Sequence, residues 1–377
     1  MQTPSFSIGI EEEYLIVDQQ SRDLVSEAPQ GMLEECQEQL GDQVSPEFLQ
    51  CQIEIGTPVC TSLAEARSAL GHLRGEIAAI ADSHGVAIIA ASTHPFASWQ
   101  KLKRTAKQRY QDIEQDLQSV VRRLVISGMH VHVGLDDDEL RIDLLAQISY
   151  FLPHLLALST SSPFWQGQDT GLKSYRIAIW DEMPRTGLPE SFDSFVNFQR
   201  HVEILVKAGL IEDGSKLWWD VRPSIRYPTL EMRISDLCTR MEDALCIAAL
   251  YRCILHMLFR LRQDNQRWRR YSPMLINENR WRAQRYGIDQ GLVDFGRGCI
   301  VPYAELLDEI LNLLQIDAQV LDCEQEIQHA RTILKHGTSA HRQLACYQQA
   351  LEGGAEPTEA LRAVVDMLII ETQQGIA

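Results

Sequence analysis

The stretch that decides the fold is Ser7-Ile-Gly-Ile-Glu-Glu-Glu-Tyr-Leu-Ile-Val-Asp18, which places three consecutive glutamates inside an apolar, strand-like run. Alternate residues of a strand share a face, so Glu11 and Glu13 point the same way, roughly 7 Å apart. Two carboxylates on a half-buried face repel each other and are costly to desolvate unless a cation neutralises them. The stretch therefore predicts a strand with a divalent cation beside Glu11 and Glu13.

Three further strand-like segments carry polar residues at alternate positions, with apolar residues between them. The polar pairs are Gln52 and Glu54, His130 and His132, and Glu231 and Arg233. For any one segment, a solvated sheet face is the ordinary explanation. Glutamate is disfavoured in strands, however, and four such segments together favour a concave sheet face whose carboxylates and imidazole bind metal.

The types of ligand indicate which metal is bound. Carboxylate-rich sites without thiolates suit Mg²⁺ or Mn²⁺, and carboxylate-bound Mg²⁺ most often holds nucleotide phosphates. Phosphoryl transfer also needs cationic side chains, and the candidates are Arg176, Arg222, Arg226 and Arg233. Arg222 and Arg226 share a face if the segment before Glu231 is extended. A surface ion pair is the ordinary role of any single one of these arginines.

Composition and the absence of certain sequence motifs argue against several classes of function. The chain has 377 residues, and its 35 basic and 52 acidic side chains give a net charge of 35 − 52 = −17, which argues against nucleic-acid binding. The most apolar run, residues 244–251, ends at Arg252 and is too short to span a bilayer. Nine scattered cysteines and the absence of a secretory signal predict a reducing cytoplasm. No P-loop or Rossmann motif is present.

The order of the elements predicts one domain over residues 1–377, mostly helical after about residue 191. Strands are predicted at residues 6–18, 50–55, 86–91, 127–134 and 229–234. Helices are predicted at residues 62–84, 105–125 and 139–158, and later at 192–208, 240–262, 303–314, 322–335, 340–352 and 358–373. No internal repeat, low-complexity tract or linker interrupts the chain.

A series of short motifs runs along nearly the whole chain. They are Gly9-Ile-Glu-Glu-Glu-Tyr14, Gln52-Ile-Glu-Ile-Gly-Thr-Pro58, Gly128-Met-His-Val-His-Val-Gly134, Ser174-Tyr-Arg176, Pro184-Arg-Thr-Gly-Leu-Pro189, Trp219-Asp-Val-Arg-Pro223, Glu231-Met-Arg-Ile-Ser-Asp236, Asn279-Arg-Trp-Arg-Ala-Gln-Arg-Tyr-Gly287 and Gly337-Thr-Ser-Ala340. In this order and spacing they resemble the YbdK-type carboxylate–amine ligases, also called type 2 glutamate–cysteine ligases.

The resemblance implies an α+β fold of the glutamine synthetase catalytic type. This fold has a curved, mainly antiparallel sheet with helices packed on one side and a helical C-terminal region. The resemblance also implies an ATP- and Mg²⁺-dependent ligase that joins the γ-carboxylate of glutamate to an amine through an acyl phosphate and releases ADP. Cysteine is the family's reference acceptor, and the activity with it is weak. The resemblance therefore implies small-molecule partners, with no nucleic acid or membrane. A homodimer is compatible with the helical C-terminal region.

The resemblance assigns metal ligands residue by residue. Glu13 and Glu54 correspond to ligands of one Mg²⁺. Glu11, His130 and Glu231 correspond to ligands of a second Mg²⁺, which bridges the phosphates of ATP. The two glutamates of the opening stretch thus belong to separate ions.

Other positions correspond to contacts with nucleotide and substrate. Arg233 stabilises the transferring phosphoryl group with help from Arg222 and Arg226, and Arg176 joins Arg233 in nucleotide binding. The predicted substrate contacts are His132, Glu47 and Arg185.

Two other classes of function remain open from the residues. A phosphagen-type ATP phosphotransferase also uses an antiparallel sheet and phosphate-clamping arginines, but it needs fewer metal-binding carboxylates. A non-catalytic nucleotide-binding relative of such ligases is the second alternative, and the complete ligand set argues against it.

Overall fold

A seven-stranded antiparallel sheet carries the polar residues singled out above. The computed structural model describes residues 3–105 and 123–376. Its strands, in the main sheet and in three small two-stranded sheets, are β1 (Ile8–Asp18), β2 (Val44–Pro46), β3 (Gln52–Gly56), β4 (Val86–Ile89), β5 (Met129–Gly134), β6 (Phe164–Trp165), β7 (Gln168–Asp169), β8 (Thr186–Gly187), β9 (Trp218–Trp219), β10 (Val221–Pro223), β11 (Thr229–Met232), β12 (Leu292–Asp294) and β13 (Cys299–Val301). The strand order of the seven-stranded sheet is β10-β11-β5-β1-β3-β2, with β4 also paired to β1. All its pairings are antiparallel, as predicted.

Helices follow the strands and dominate the second half of the chain. Their bounds are α1 (Met32–Leu40), α2 (Leu63–Ser83), α3 (Asp138–Ile148), α4 (Leu152–Ser159), α5 (Tyr175–Trp180), α6 (Phe195–Lys207), α7 (Met241–Gln263), α8 (Pro273–Tyr286), α9 (Tyr303–Val320), α10 (Glu324–Gln328), α11 (Ala330–His336), α12 (Ser339–Glu352) and α13 (Pro357–Thr372). The predicted strands and the helical C-terminal region are confirmed.

Two predicted helices are each divided in the structure, and a third cannot be compared. The helix predicted at residues 322–335 is two helices, α10 and α11, which are separated at His329. The helix predicted at residues 139–158 is two helices, α3 and α4, that bend by 68° at their junction. Pro153 lies in the first turn of α4, where its missing N–H and its ring prevent a continuous helix. The helix predicted at residues 105–125 falls largely on residues 106–122, which lie outside the described residues.

The two faces of β1 have different surroundings, and one face changes along its length. Four alternate side chains enter the main core against α2 and α7: Ile8, Ile10, Tyr14 and Ile16. On the opposite face, Glu11 and Glu13 border a cavity, whereas Leu15 and Val17 enter a second core beneath α13. A single strand face is therefore a polar site in its first half and packed core in its second half.

The middle glutamate of β1 points into the main core. Glu12 and Arg74 of α2 are both 0% exposed, and the Arg74 guanidinium donates to the two Glu12 oxygens at 2.8 and 2.7 Å. Arg74 also donates to the carbonyl oxygens of Cys238 and Thr239, just before α7, and the Tyr14 hydroxyl donates to Glu12. This ion pair ties the sheet to α2 and α7.

Helix α7 is long and apolar enough to meet the length and composition test for a membrane span. In the structure, 89% of its apolar window is buried within the protein. Arg252 ends the most apolar run but lies inside the helix, which agrees with the helix predicted at residues 240–262. The Nε and Nη2 atoms of Arg252 donate to the carbonyl oxygens of Phe6 and Thr61, which offsets part of the cost of burying the charge. Helix α7 is thus the central core helix.

We expect Arg74→Met to reduce the free energy of unfolding by about 3–5 kcal/mol, because it leaves the Glu12 carboxylate buried without a cationic partner. The double variant Glu12→Gln/Arg74→Met should recover at least half of that loss. Urea unfolding followed by circular dichroism measures both values. The exposed pair of Lys103 and Glu27 gives a control, and Lys103→Met should cost less than about 1 kcal/mol. A loss at Arg74 as small as that at Lys103 contradicts the prediction.

Candidate active site

The polar face of the sheet borders a cavity of about 460 Å³, which we call the site cavity. Its charged and imidazole lining consists of Glu11, Glu13, Glu47, Glu54, His130, His132, Arg222, Arg226, Glu231 and Arg233. A larger cavity, of about 840 Å³, lies between α2 and α13. Among the described residues, none of the clusters able to hold a metal ion borders that larger cavity. Chemistry rather than volume therefore identifies the site.

Strand register brings distant parts of the sequence together in the site cavity. The residues opposite each other in the antiparallel pairs are Glu13 and Glu54, Glu11 and His130, His132 and Glu231, and Glu231 and Arg222. Side chains directly opposite on neighbouring strands lie within contact distance. The alternation seen in four separate sequence segments therefore becomes one continuous polar row across β3, β1, β5, β11 and β10.

Three carboxylates at one end of this row form a cluster, the carboxylate triad of Glu13, Glu47 and Glu54. Each offers a ligand oxygen within 4.8 Å of the others. No lysine or arginine among the described residues forms an ion pair with the triad. Burial and mutual repulsion raise the pKa of Glu13 to about 7, of Glu47 to about 7 and of Glu54 to about 8. The triad thus holds more negative charge than its surroundings compensate.

The triad has the donor set of a hard divalent cation. Its ligands are all carboxylate oxygens, and Mg²⁺ or Mn²⁺ prefers such ligands. Two of the side chains are oriented by neighbours, since the Gly128 amide donates to Glu13 at 2.7 Å and the Ser45 hydroxyl donates to Glu54 at 2.9 Å. The residues present therefore fit such an ion, with Glu47 as a third ligand beside the predicted Glu13 and Glu54.

The other end of the row is neutralised by the protein's own cations. Arg222 donates to the two Glu231 oxygens at 2.9 and 3.1 Å, and Arg233 forms a second ion pair with Glu231. Burial alone would raise the pKa of Glu231, but Arg233 and Arg222 hold it well below its usual range. Burial and the Arg233 charge lower the pKa of His130 to about 4, so its imidazole is neutral.

The ligands predicted for a second Mg²⁺ meet in the structure in overlapping groups. Ligand atoms of Glu11, Glu54 and His130 lie within 4.8 Å of one another, as do those of Glu11, His132 and Glu231. The buried Nε2 atom of His132 lies 3.3 Å from Glu11 Oε1 and makes no hydrogen bond. Glu231 is already occupied by two arginines. The assignment of Glu11, His130 and Glu231 to one ion stays a prediction.

Two predicted contact residues, Arg176 and Arg185, do not line the site cavity. Buried Arg176 donates to the carbonyl oxygens of Arg233 and Ile234, and its guanidinium lies 5.7 Å from the centre of the Trp180 ring. Arg185 donates to the carbonyl oxygen of Lys216. Both guanidinium groups thus support the backbone next to the site.

Arg226 lines the site cavity from an unexpected position. Strand β10 ends at Pro223, and residues 224–228 form a turn before β11. The condition for Arg222 and Arg226 to share a strand face is therefore not met. Arg226 instead lies exposed on the turn at the edge of the cavity.

The sequence motifs did not identify the apolar wall of the site cavity. This wall consists of Phe48, Leu124, Ile126, Trp180, Met183 and Trp218. These residues come from separate segments of the chain and show no shared spacing. Their proximity to the carboxylates arises only from the tertiary fold, although Trp180 and Met183 lie between two of the quoted motifs.

Comparisons with known proteins give one consistent family. The family model described as glutamate–cysteine ligase family 2 matches residues 7–365. A Rhodospirillum rubrum protein named "Putative glutamate–cysteine ligase 2" is 62% identical over 376 residues, covering 99% of this chain and 97% of the relative. A Jannaschia protein of the same name is 53% identical over 364 residues, covering 97% and 96%.

Solved structures share the fold. A bifunctional glutathione synthetase from Pasteurella multocida aligns with a TM-score of 0.69 at 15% identity, over 97% of this chain and 52% of that one. A glutamate–cysteine ligase from Francisella tularensis in complex with AMP aligns with a TM-score of 0.67 at 13% identity, over 98% and 90%. At these identities the likeness concerns the fold alone, and it confirms the predicted fold class.

We expect Mg²⁺ to raise the melting temperature more at about pH 8 than at about pH 5.5. The pKa values of the triad lie above the ordinary glutamate value of 4.5, so between these values the folded state binds more protons than the unfolded chain. Without metal, stability should therefore fall as the pH rises from about 5 to 8. A cation that binds deprotonated carboxylates reverses this loss.

Scanning calorimetry at both pH values, with and without Mg²⁺, measures this effect. Glu54→Gln should reduce the difference between the Mg²⁺-induced rises in melting temperature at the two pH values. Glu38→Gln, on the exposed face of α1, should leave this difference unchanged. A Mg²⁺ shift of equal size at both pH values contradicts the assignment of the triad.

Proposed function

Because this chain belongs to the glutamate–cysteine ligase family 2, we propose that it is an ATP-dependent ligase that joins the γ-carboxylate of glutamate to an amine. One structural observation supports the proposal most directly. The uncompensated carboxylate triad and the paired Arg222 and Arg233 line the same cavity. This arrangement supports phosphoryl transfer, since it offers oxygen ligands for a cation and positive charge for a phosphoryl group.

The reaction proceeds in two steps. A γ-carboxylate oxygen of glutamate attacks the γ-phosphorus of ATP, the bond to the bridging oxygen breaks, and ADP leaves. The amine nitrogen then attacks the acyl carbon with its lone pair. The bond between this carbon and the phosphate oxygen breaks, phosphate leaves with the electron pair, and the amine loses a proton to solvent. Activation is required because a carboxylate is a poor electrophile towards amines.

Arg233 has the position that suits stabilisation of the transferring phosphoryl group. Its guanidinium is held by the Glu231 carboxylate and lies 5.8 Å from the centre of the Trp180 ring. The Nε atom of Arg233 is buried and has no hydrogen-bond partner in the described structure. Glu231 therefore acts as a positioning residue for both Arg222 and Arg233, which spares the reaction the cost of orienting them.

The carboxylate triad would hold Mg²⁺, which when bound neutralises phosphate oxygens and orients the nucleotide. The apolar wall has a separate task. Phe48, Ile126 and Met183 line the cavity beside the carboxylates and exclude water, which protects an acyl phosphate from hydrolysis. Transfer to the amine is then favoured over loss of the intermediate.

We expect release of ADP to require both glutamate and an amine such as cysteine. With glutamate labelled by ¹⁸O in its γ-carboxylate, the released phosphate should carry the label, because the acyl carbon–oxygen bond breaks in the second step. Mass spectrometry of the phosphate measures this transfer. A stable phosphorylated product formed without amine points instead to a phosphotransferase and contradicts the ligase proposal.

We also expect Glu54→Gln to reduce turnover by about 100-fold or more, because it removes a charged ligand oxygen from the triad. Circular dichroism should show an unchanged fold, since Glu54 borders the cavity and repels its neighbours. Glu38→Gln provides the matched control and should retain full turnover. Retained turnover in Glu54→Gln contradicts the role of the triad.

A further inference from the structure

A third cavity, of about 560 Å³, lies next to the site cavity. We call it the side pocket, and its lining has an apolar part and a charged part. The apolar part is Phe195, Phe198, Val202, Val206, Ile225 and Tyr227, and the charged part is Arg141, Glu203, Lys207, Glu212, Asp213 and Arg226. We propose that the side pocket binds the side chain of the amine acceptor, and that this acceptor is an α-amino acid with a bulky apolar side chain. The proposal rests on the proposed function and names the class of its second substrate.

The side pocket and the site cavity share a wall. The four residues at the start and tip of the turn line both cavities: Ser224, Ile225, Arg226 and Tyr227. The turn joins β10 and β11, which carry Arg222 and Glu231. Its Tyr227 ring packs edge-on against His132, with 6.0 Å between ring centres. The two cavities therefore adjoin along this turn.

The apolar part of the side-pocket lining favours an apolar group. Ile225 is 49% exposed and Tyr227 is 53% exposed, although both are large apolar side chains. Covering them with apolar groups removes unfavourable surface from water. A volume of about 560 Å³ is typical of a ligand pocket, whereas a cysteine side chain has only one heavy atom beyond Cβ and would leave most of it unfilled.

The charge on the shared wall indicates the rest of the acceptor. Three arginines line the site cavity, and Arg222 and Arg233 are both ion-paired with Glu231. Among the described residues, Arg226 forms no hydrogen bond or ion pair. A carboxylate that enters a cavity rich in glutamates requires a cation, and Arg226 lies where both cavities meet. The geometry places the α-carboxylate of the acceptor at Arg226 and its side chain in the side pocket.

An adenine ring is the main competing occupant of an apolar pocket in an ATP-dependent enzyme. Adenine itself is uncharged, although the phosphates of ATP carry negative charge that also suits Arg226. The site cavity offers aromatic surface of its own at Trp180 and Trp218. This aromatic surface gives the base a place in the site cavity and leaves the side pocket for an amino acid, and the experiment separates the two occupants.

The first test compares amine acceptors by their kcat/KM in ADP release with saturating ATP and glutamate. Leucine and phenylalanine should exceed cysteine by about tenfold or more, because the pocket buries their side chains. Their decarboxylated counterparts, 3-methylbutylamine and phenethylamine, should be poorer by about tenfold or more in the unmodified enzyme. In Arg226→Ala, the kcat/KM of each amino acid should equal that of its decarboxylated counterpart. A persistent difference in that variant overturns the role of Arg226.

The second test fills the side pocket. Val202→Trp should reduce kcat/KM for phenylalanine by about tenfold or more and leave cysteine within about twofold, since steric loss scales with the side chain displaced. Ile204→Trp lies on the same helix but does not line the pocket, so it should change neither value. Unchanged use of phenylalanine by Val202→Trp overturns the proposal, and so does a raised KM for ATP, which identifies an adenine pocket.

The outcomes distinguish the proposal from the function on which it rests. Amine-dependent ADP release with cysteine preferred over leucine and phenylalanine overturns the side pocket as an acceptor site and leaves the ligase function standing. Absence of ADP release with every amine overturns both.

Discussion

The buried ion pair between Glu12 and Arg74 is the interaction on which the rest of the structure depends. Three consecutive glutamates in a strand force at least one carboxylate towards the core, because successive side chains point to opposite faces. Arg74 neutralises that carboxylate, and both side chains are 0% exposed. A shift of β1 by one residue would place Glu11 and Glu13 in the core without a partner. The pair therefore selects the register that directs Glu11 and Glu13 into the site cavity.

The charges in the site cavity divide into two parts with different chemistry. Around Glu231, the protein supplies its own cations, and the arginines there are oriented before any substrate arrives. In the carboxylate triad no such cation is present among the described residues, and the pKa values of its members are raised. One end is built to receive negative charge and the other to receive positive charge. A metal-bound nucleotide phosphate carries both, so it complements the row as a whole.

Much of the polar site could be predicted from the sequence, since a period of two residues decides which face a strand residue occupies. Glu11, Glu13, Glu54, His130 and Glu231 converge because their strands pair in register. Other features depend on contacts between distant segments, which no local spacing reveals. Arg74 as partner of Glu12 and the apolar wall belong to this class. The arginines illustrate the same limit, because Arg176, Arg185 and Arg226 differ in partners and exposure that only the tertiary fold determines.

The change in surroundings along one face of β1 explains why the triad is desolvated. Glu13 is followed on the same face by Leu15, which enters the second core beneath α13. Phe48 belongs to that core and also lines the site cavity, so packed apolar side chains extend to the edge of the carboxylates. Water is thereby restricted near Glu13 and Glu54, and like charges repel more strongly in a poorly hydrated environment. The C-terminal helix thus contributes to the desolvation of the triad through this core, without lining the site cavity.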